Sequence, residues 1–203
     1  MSISVASNEA DATGMPPPFI VTGFPRSRTA WLARLLDCVH EPSLRWSAID
    51  DLEHFLVDGA GASDCMMSFL VHDAVSLRPD TSIVLVRRER RAVERSLHAL
   101  GVTVAAWLLD CMERRLDTIE KELKPLVVRY DDLENETTCS RIHSWCRGRQ
   151  MDRAHWQALR YQNIQADITK TLALLVKRDA ALGALFGPRY RLWTTGSPTV
   201  STL

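Results

Sequence analysis

Apolar positions along this chain alternate between two rhythms. Short runs of β-branched and other apolar residues, Phe19 to Val21, Ile83 to Val86 and Val127 to Tyr130, are bounded by Pro, Gly or charged residues and read as buried strands. Between them the spacing is helical. Trp31, Leu32, Leu35, Leu36 and Val39 follow Thr29, and Leu52, Phe55 and Leu56 share a face within 48–57. Val93 and Leu97 pair on a third helix, and Ala105, Leu108, Leu109, Met112, Leu116, Ile119 and Leu123 trace one stripe of a long helix over 104–124, closed by Pro125. The small residues from Gly59 to Asp64 suit a further parallel strand with its loop. Segments 66–76, 137–146, 153–161 and 168–186 read as helices, 38–46 as a connector, Arg78-Pro79-Asp80 as a turn, and the end beyond Arg191 as loose. Strands alternating with helices predict an α/β fold with a central parallel sheet flanked by helices, and ligands beyond the carboxyl ends of its strands. The organisation expected is a disordered arm over 1–18, an α/β core over 19–161 and a helical extension with a tail over 162–203.

Composition narrows the function classes. With 203 residues, 46% of them apolar, the chain has material for one real core. A formal net charge of zero argues against a general nucleic-acid binder. The five cysteines show no Cys-x-x-Cys pair and read as reduced thiols of a cytoplasmic protein. The first eighteen residues lack the basic start and apolar core of a signal peptide, and no apolar run reaches membrane-span length, so no membrane partner is expected. Cys139, His143 and Cys146 share a helical face, but three ligands at that spacing match no common zinc pattern, and packing is the expected role.

The chemistry concentrates where the first strand turns into its helix, FIVTGFPRSRTAWLARLL from Phe19 to Leu36. Gly23 and Pro25 punctuate the turn, while Arg26, Ser27, Arg28 and Thr29 gather charge and donors at a helix start, where the dipole favours an anion. This is an anion cradle suited to phosphate. A Walker A loop requires Gly-Lys-Ser/Thr after a glycine and four residues, and FPRSRT after Gly23 does not supply it.

The segment resembles the 5′-phosphosulfate loop of sulfotransferases that use 3′-phosphoadenylyl sulfate (PAPS), roughly Gly-x-Pro-Arg/Lys-Ser-Gly-Thr-Thr-Trp. Gly23, Pro25, Arg26, Ser27, Thr29 and Trp31 match, while Arg28 stands where the family usually has Gly and Ala30 where it often has Thr. A second segment, SIVLVRRERRAVERSL from Ser82 to Leu97, carries Arg88 at a strand end and Ser96 on the next helix, at the spacing of the family's 3′-phosphate site. Glu89-Arg90 replaces the usual Asp-Pro. A third, PLVVRYDDLEN from Pro125 to Asn135, places Tyr130 at the family's nucleotide-side Tyr. Together these cover about 19–161.

The resemblance implies a P-loop NTPase-like architecture and transfer of a sulfuryl group from PAPS to a hydroxyl or amine acceptor, releasing 3′,5′-ADP with no bound metal. Arg26 then stabilises the leaving phosphate, Trp31 either stacks on adenine or packs in the core, and Arg88 and Ser96 hold the 3′-phosphate. The base that takes the acceptor's proton is expected to be Asp64, with His72 behind it; the bland role for Asp64 is a helix N-cap. Arg90, Arg91 and Arg95 read as a solvated helix face. Two other readings stay open: a small nucleotide-phosphate-binding kinase, and a degenerate sulfotransferase fold kept as a binding or scaffold module. The acceptor pocket is expected from Leu44 to Leu56 and from the stretch after Tyr161; acceptor identity and oligomeric state are left open.

Overall fold

A computed structural model describes residues 17–102 and 106–165. Most of the expected arm, the segment 168–186, the tail and the first residues of the long helix lie outside the described residues. Five strands form one sheet: β1 (Phe19–Gly23), β2 (Val39–His40), β3 (Gly61–Ser63), β4 (Ser82–Arg87) and β5 (Leu126–Arg129). Their order is β2-β3-β1-β4-β5, and every pairing is parallel. The helices between them are α1 (Thr29–Leu35), α2 (Ile49–Val57), α3 (Val71–Leu77), α4 (Arg90–His98), α5 (Ala106–Leu123), α6 (Glu136–Arg147) and α7 (Arg153–Leu159). Short 3₁₀ turns occupy Pro42–Arg45, Met66–Phe69 and Tyr130–Glu134. Among the described residues no helix is long and apolar enough to cross a membrane.

The alternation along β1 and β4 divides the core between two faces. Ile20, Ile83 and Leu85 pack with α2, α3, α4 and α5, whereas Phe19, Val21, Val84 and Val86 pack with α1, α6 and α7. β1 is completely buried and pairs along its whole length with β4, from Phe19 against Ser82 to Gly23 against Val86. Close approach explains two glycines. A Cβ on Gly23 would lie 2.5 Å from the Val86 carbonyl oxygen, and one on Gly61 would lie 2.0 Å from the Phe19 ring. Gly61→Ala is therefore expected to destabilise the fold by roughly 1–3 kcal/mol through overpacking, read as a lowered midpoint in chemical denaturation at unchanged m-value.

The connection leaving β1 runs toward β2, and the one leaving β4 runs toward β5. They part on opposite sides of the β1–β4 pair, so the topology switches at the carboxyl edge of the sheet beyond Gly23 and Val86, the kind of place where open parallel sheets bind ligands. Differences from the sequence reading are local. The expected connector 38–46 contains β2, which is two residues long and too short to show a period. The expected helix over 66–76 begins as a 3₁₀ turn and becomes α-helical only at Val71.

Candidate functional site

The loop from Phe24 to Arg28 leaves β1 in a backbone that few residues adopt. Arg26 has φ 67° and Arg28 φ 61°, both left-handed, with Ser27 between them. For non-glycine residues this conformation costs about 1–2 kcal/mol each. Asp37 and Lys124 also have positive φ, but they lie within two residues of the ends of α1 and α5, where helices commonly end that way. Arg26, Arg28 and Glu41 (φ 48°) have no such excuse, and all three lie beyond the carboxyl ends of strands. Strain of this kind collects at functional sites. Arg28, standing where the resemblance expects Gly, does take the positive φ that Gly would take freely.

The two strand-end segments meet. Arg88, just past β4, donates from Nη1 to the carbonyl oxygen of Arg26. Arg26 donates from Nε to the hydroxyl of Ser96 on α4 at 3.2 Å. Tyr130, just past β5, lies under both flanking guanidiniums, with Arg88 4.0 Å and Arg28 5.4 Å from its ring centroid. Arginine stacking on an aromatic face fixes the guanidinium plane while leaving its N–H edge for a partner. Burial and then the neighbouring Arg88 charge push the Arg26 pKa below its ordinary value, against Tyr130. Three buried polar atoms here have no hydrogen-bond partner: Ser27 Oγ, Arg28 Nη1 and Arg88 Nε. Ser27 is 0% exposed. An unpaired buried donor is destabilising by about 1–3 kcal/mol unless something else satisfies it. Concentrated positive charge with unpaired donors is what an oxyanion binds.

Of the arginine run 87–95, only Arg88 takes part. Arg87 is held by Asp117 and Glu120 of α5, at 2.7 and 2.6 Å. Arg90 pairs with Glu94 and Asp110, and exposed Arg95 lies 3.7 Å from Glu89. Acidic α5 thus neutralises one side of the run and leaves Arg88 to the loop.

Two expected roles need correction, and Trp31 takes the second of its two expected ones, packing in the core. Trp31 is 2% exposed and its indole N–H donates to the Leu159 carbonyl at 2.9 Å, so α7 covers the ring and adenine has no access to it. Asp64 is completely buried. Its Oδ2 accepts from the N–H and hydroxyl of Ser43 at 3.0 and 2.6 Å, and its Oδ1 from the N–H groups of Met66 and Met67 at 2.7 and 3.3 Å. With four donors on it and no exposed surface, this carboxylate ties β3 to two 3₁₀ turns and is shut off from an acceptor's hydroxyl. His72 accepts from Arg115 at Nδ1 (3.2 Å) and donates to Glu122 from Nε2 (3.0 Å), so both nitrogens are engaged between α3 and α5, with no bond to the arginine cluster.

A different carboxylate lies beside the loop. Thr29, the first residue of α1, has its hydroxyl 3.3 Å from His40 Nε2, and that nitrogen is 3.8 Å from Glu41 Oε1. The Glu41 side chain is 13% exposed, and burial, then the charge of Asp64, pushes its pKa up to about 7 against a hydrogen bond from the Cys65 thiol. Burial holds His40 below its ordinary pKa and Cys65 well above. No protein-family model matches the chain, and no curated protein matches it.

His40 and Glu41 escaped sequence reasoning because one ends and the other follows a strand of two residues inside a stretch read as connector. Gln165 escaped too: its side-chain oxygen accepts from Arg26 Nη2, and its amide nitrogen donates to Asn163. The Cys139 thiol donates to the Leu133 carbonyl and His143 Nδ1 lies 3.1 Å from the Arg149 carbonyl. Among the described residues no group of three His, Cys, Asp or Glu is arranged to hold a metal ion.

Proposed function

We propose that this protein is a PAPS-dependent sulfotransferase of P-loop-related architecture, acting in the cytoplasm. The observation that carries the reading is the meeting of Arg26 and Arg88, from the ends of adjacent strands at the switch point of the sheet, with three unpaired buried donors beside them. The strand order β2-β3-β1-β4-β5, with the loop after the central strand, supports the same architecture.

In this reading Ser27, Arg28 and Arg26 hold the 5′-phosphosulfate, and Arg88 with Ser96 holds the 3′-phosphate. Tyr130 orients Arg88 and Arg28 rather than adenine. The acceptor oxygen attacks sulfur in line with the leaving phosphate oxygen; the new S–O bond forms as the old one breaks, and 3′,5′-ADP departs. A permanently charged Arg26 stabilises the charge developing on the leaving oxygen and donates no proton. Glu41 takes the proton of the acceptor hydroxyl, because its raised pKa lies near neutrality and its chain of contacts runs through His40 to Thr29.

Calorimetry with 3′,5′-ADP and with ADP tests the assignment. A preference for 3′,5′-ADP of more than about tenfold is expected from an added charge-assisted contact. Equal binding would favour a nucleotide-phosphate enzyme of another kind, and binding of neither would overturn the nucleotide site. A binding module without turnover is the second reading. It is favoured by the Gln165 contact on Arg26 and the Arg28–Glu134 ion pair of 2.9 Å, which occupy donors that a substrate would use. It predicts 3′,5′-ADP binding with no transfer of labelled sulfur from PAPS.

A further inference from the structure

A cavity of about 670 Å³ lies along the outer side of α1, between the end of β2 and the α6–α7 connection. Pockets for small molecules run roughly 300–1,000 Å³. Two alanines of α1, Ala30 and Ala33, leave the space open. Its walls are shared with the site described above. Gln165 lines it and also bonds Arg26, and His40 lines it and also contacts the Thr29 hydroxyl and Glu41. The cavity is therefore one side chain away from each: Gln165 stands between it and Arg26, and His40 between it and Glu41.

Its chemistry is balanced. Arg34 and Arg149 contribute two positive charges and Asp37 and Asp152 two negative ones. Two lining imidazoles have their tautomers set by carbonyl groups: His143 Nδ1 lies 3.1 Å from the Arg149 oxygen and His155 Nε2 lies 3.1 Å from the Arg34 oxygen. A carbonyl only accepts, so each of those nitrogens carries hydrogen, and the other nitrogen of a neutral ring is an acceptor. Burial lowers the pKa of His40, the third imidazole, and so favours its neutral form. Met151 and Ile164 add apolar surface. Acceptors beside apolar patches, with no net charge, suit a molecule that carries hydroxyl groups on a compact apolar frame.

We infer that this cavity seats the sulfuryl acceptor, and that the acceptor is a neutral, polyhydroxylated molecule of saccharide size. The inference rests on the sulfuryl-transfer reading. The hydroxyl at the His40 end is the one sulfated: its proton passes to Glu41, its oxygen forms the new S–O bond, and the S–O bond to the 5′-phosphate of PAPS breaks.

The test is long-range ¹H–¹⁵N NMR of the six histidines in the full chain. Methyl glucoside and myo-inositol serve as neutral probes, glucuronate and glucosamine as charged ones, each with and without 3′,5′-ADP. The neutral probes are expected to shift His40, His143 and His155 and to leave His54, His72 and His98 in place. Ala30→Leu, which fills the cavity, is expected to weaken that response about tenfold while the three control rings stay unmoved. His155→Phe, at an exposed position of α7, serves as a second variant and is expected to weaken methyl glucoside binding severalfold. Neutral probes that leave all three rings unmoved, or charged probes that bind more tightly, would overturn the proposal with nucleotide binding intact. Shifts from neutral probes in a protein that does not bind 3′,5′-ADP would instead sink the transfer reading, and with it the acceptor role.

Discussion

Arg88→Ala is expected to lower the affinity for 3′,5′-ADP by about 10²–10³-fold while changing that for ADP by less than about tenfold. The magnitude follows from two losses. The guanidinium supplies charge-assisted hydrogen bonds to the 3′-phosphate, about 1.5–3 kcal/mol each, from a group whose Nε has no protein partner. It also donates to the carbonyl of Arg26, a residue held at φ 67°, so its removal loosens the strained loop that grips the 5′ end. The second loss touches both nucleotides, which is why ADP binding is expected to fall somewhat as well. Arg88→Lys keeps the charge without the planar fork or the full stacking on Tyr130, and is expected to recover only part of the loss. Ser96→Ala removes one hydroxyl that accepts from Arg26 and is expected to weaken binding by about 1 kcal/mol. Calorimetry on the three variants, with thermal unfolding as a check of folding, measures each. An Arg88→Ala protein that binds 3′,5′-ADP as tightly as wild type would remove Arg88 from the phosphate site.

The elements legible in the sequence were those whose partners are close or whose period is long. β1, α1 and β4 each show several matching apolar positions, and the convergence of Arg26, Arg88 and Ser96 followed from placing them at the ends of two strands and on the helix after the second. What could not be read depends on residues brought from far along the chain. Asp64 lies at a strand end, as expected of a base, but Ser43, 21 positions earlier, donates twice to it and makes it a joint. Trp31 matches a stacking position, but α7, 128 positions later, covers it through the Leu159 carbonyl. Burial is the variable that sequence spacing leaves out. It silences Asp64, and it shifts Glu41, whose position in a stretch without periodicity gave no cue. The charge run 87–95 shows the same limit: its split between α5 and the loop depends on which acidic residues of α5 face it.

Glu41→Gln is expected to reduce sulfuryl transfer by about 10²–10⁴-fold at pH 8, the usual contribution of a positioned base, with 3′,5′-ADP affinity changed by less than about threefold. The acid limb of the wild-type pH–rate profile is expected near pH 7, because the carboxylate must be ionised to accept a proton and its pKa is raised to about 7. Stability supplies a readout independent of turnover. A carboxyl whose pKa rises from 4.5 unfolded to about 7 folded binds more protons in the folded state between those values. Its contribution is therefore fully present below pH 4.5 and is lost as pH rises through about 7, by roughly 3 kcal/mol in all. Asp64, also raised by burial, acts in the same direction, and His40, lowered by burial, acts in the opposite one as pH falls. In Glu41→Gln the decline between pH 4.5 and 7 is expected to flatten, leaving the variant more stable than wild type at pH 8 as turnover collapses. Urea denaturation at several pH values measures it. A stability profile unchanged by the substitution would mean that Glu41 titrates as an ordinary carboxylate, and a base ionised throughout that range has no reason to be buried beside the loop that holds the leaving group.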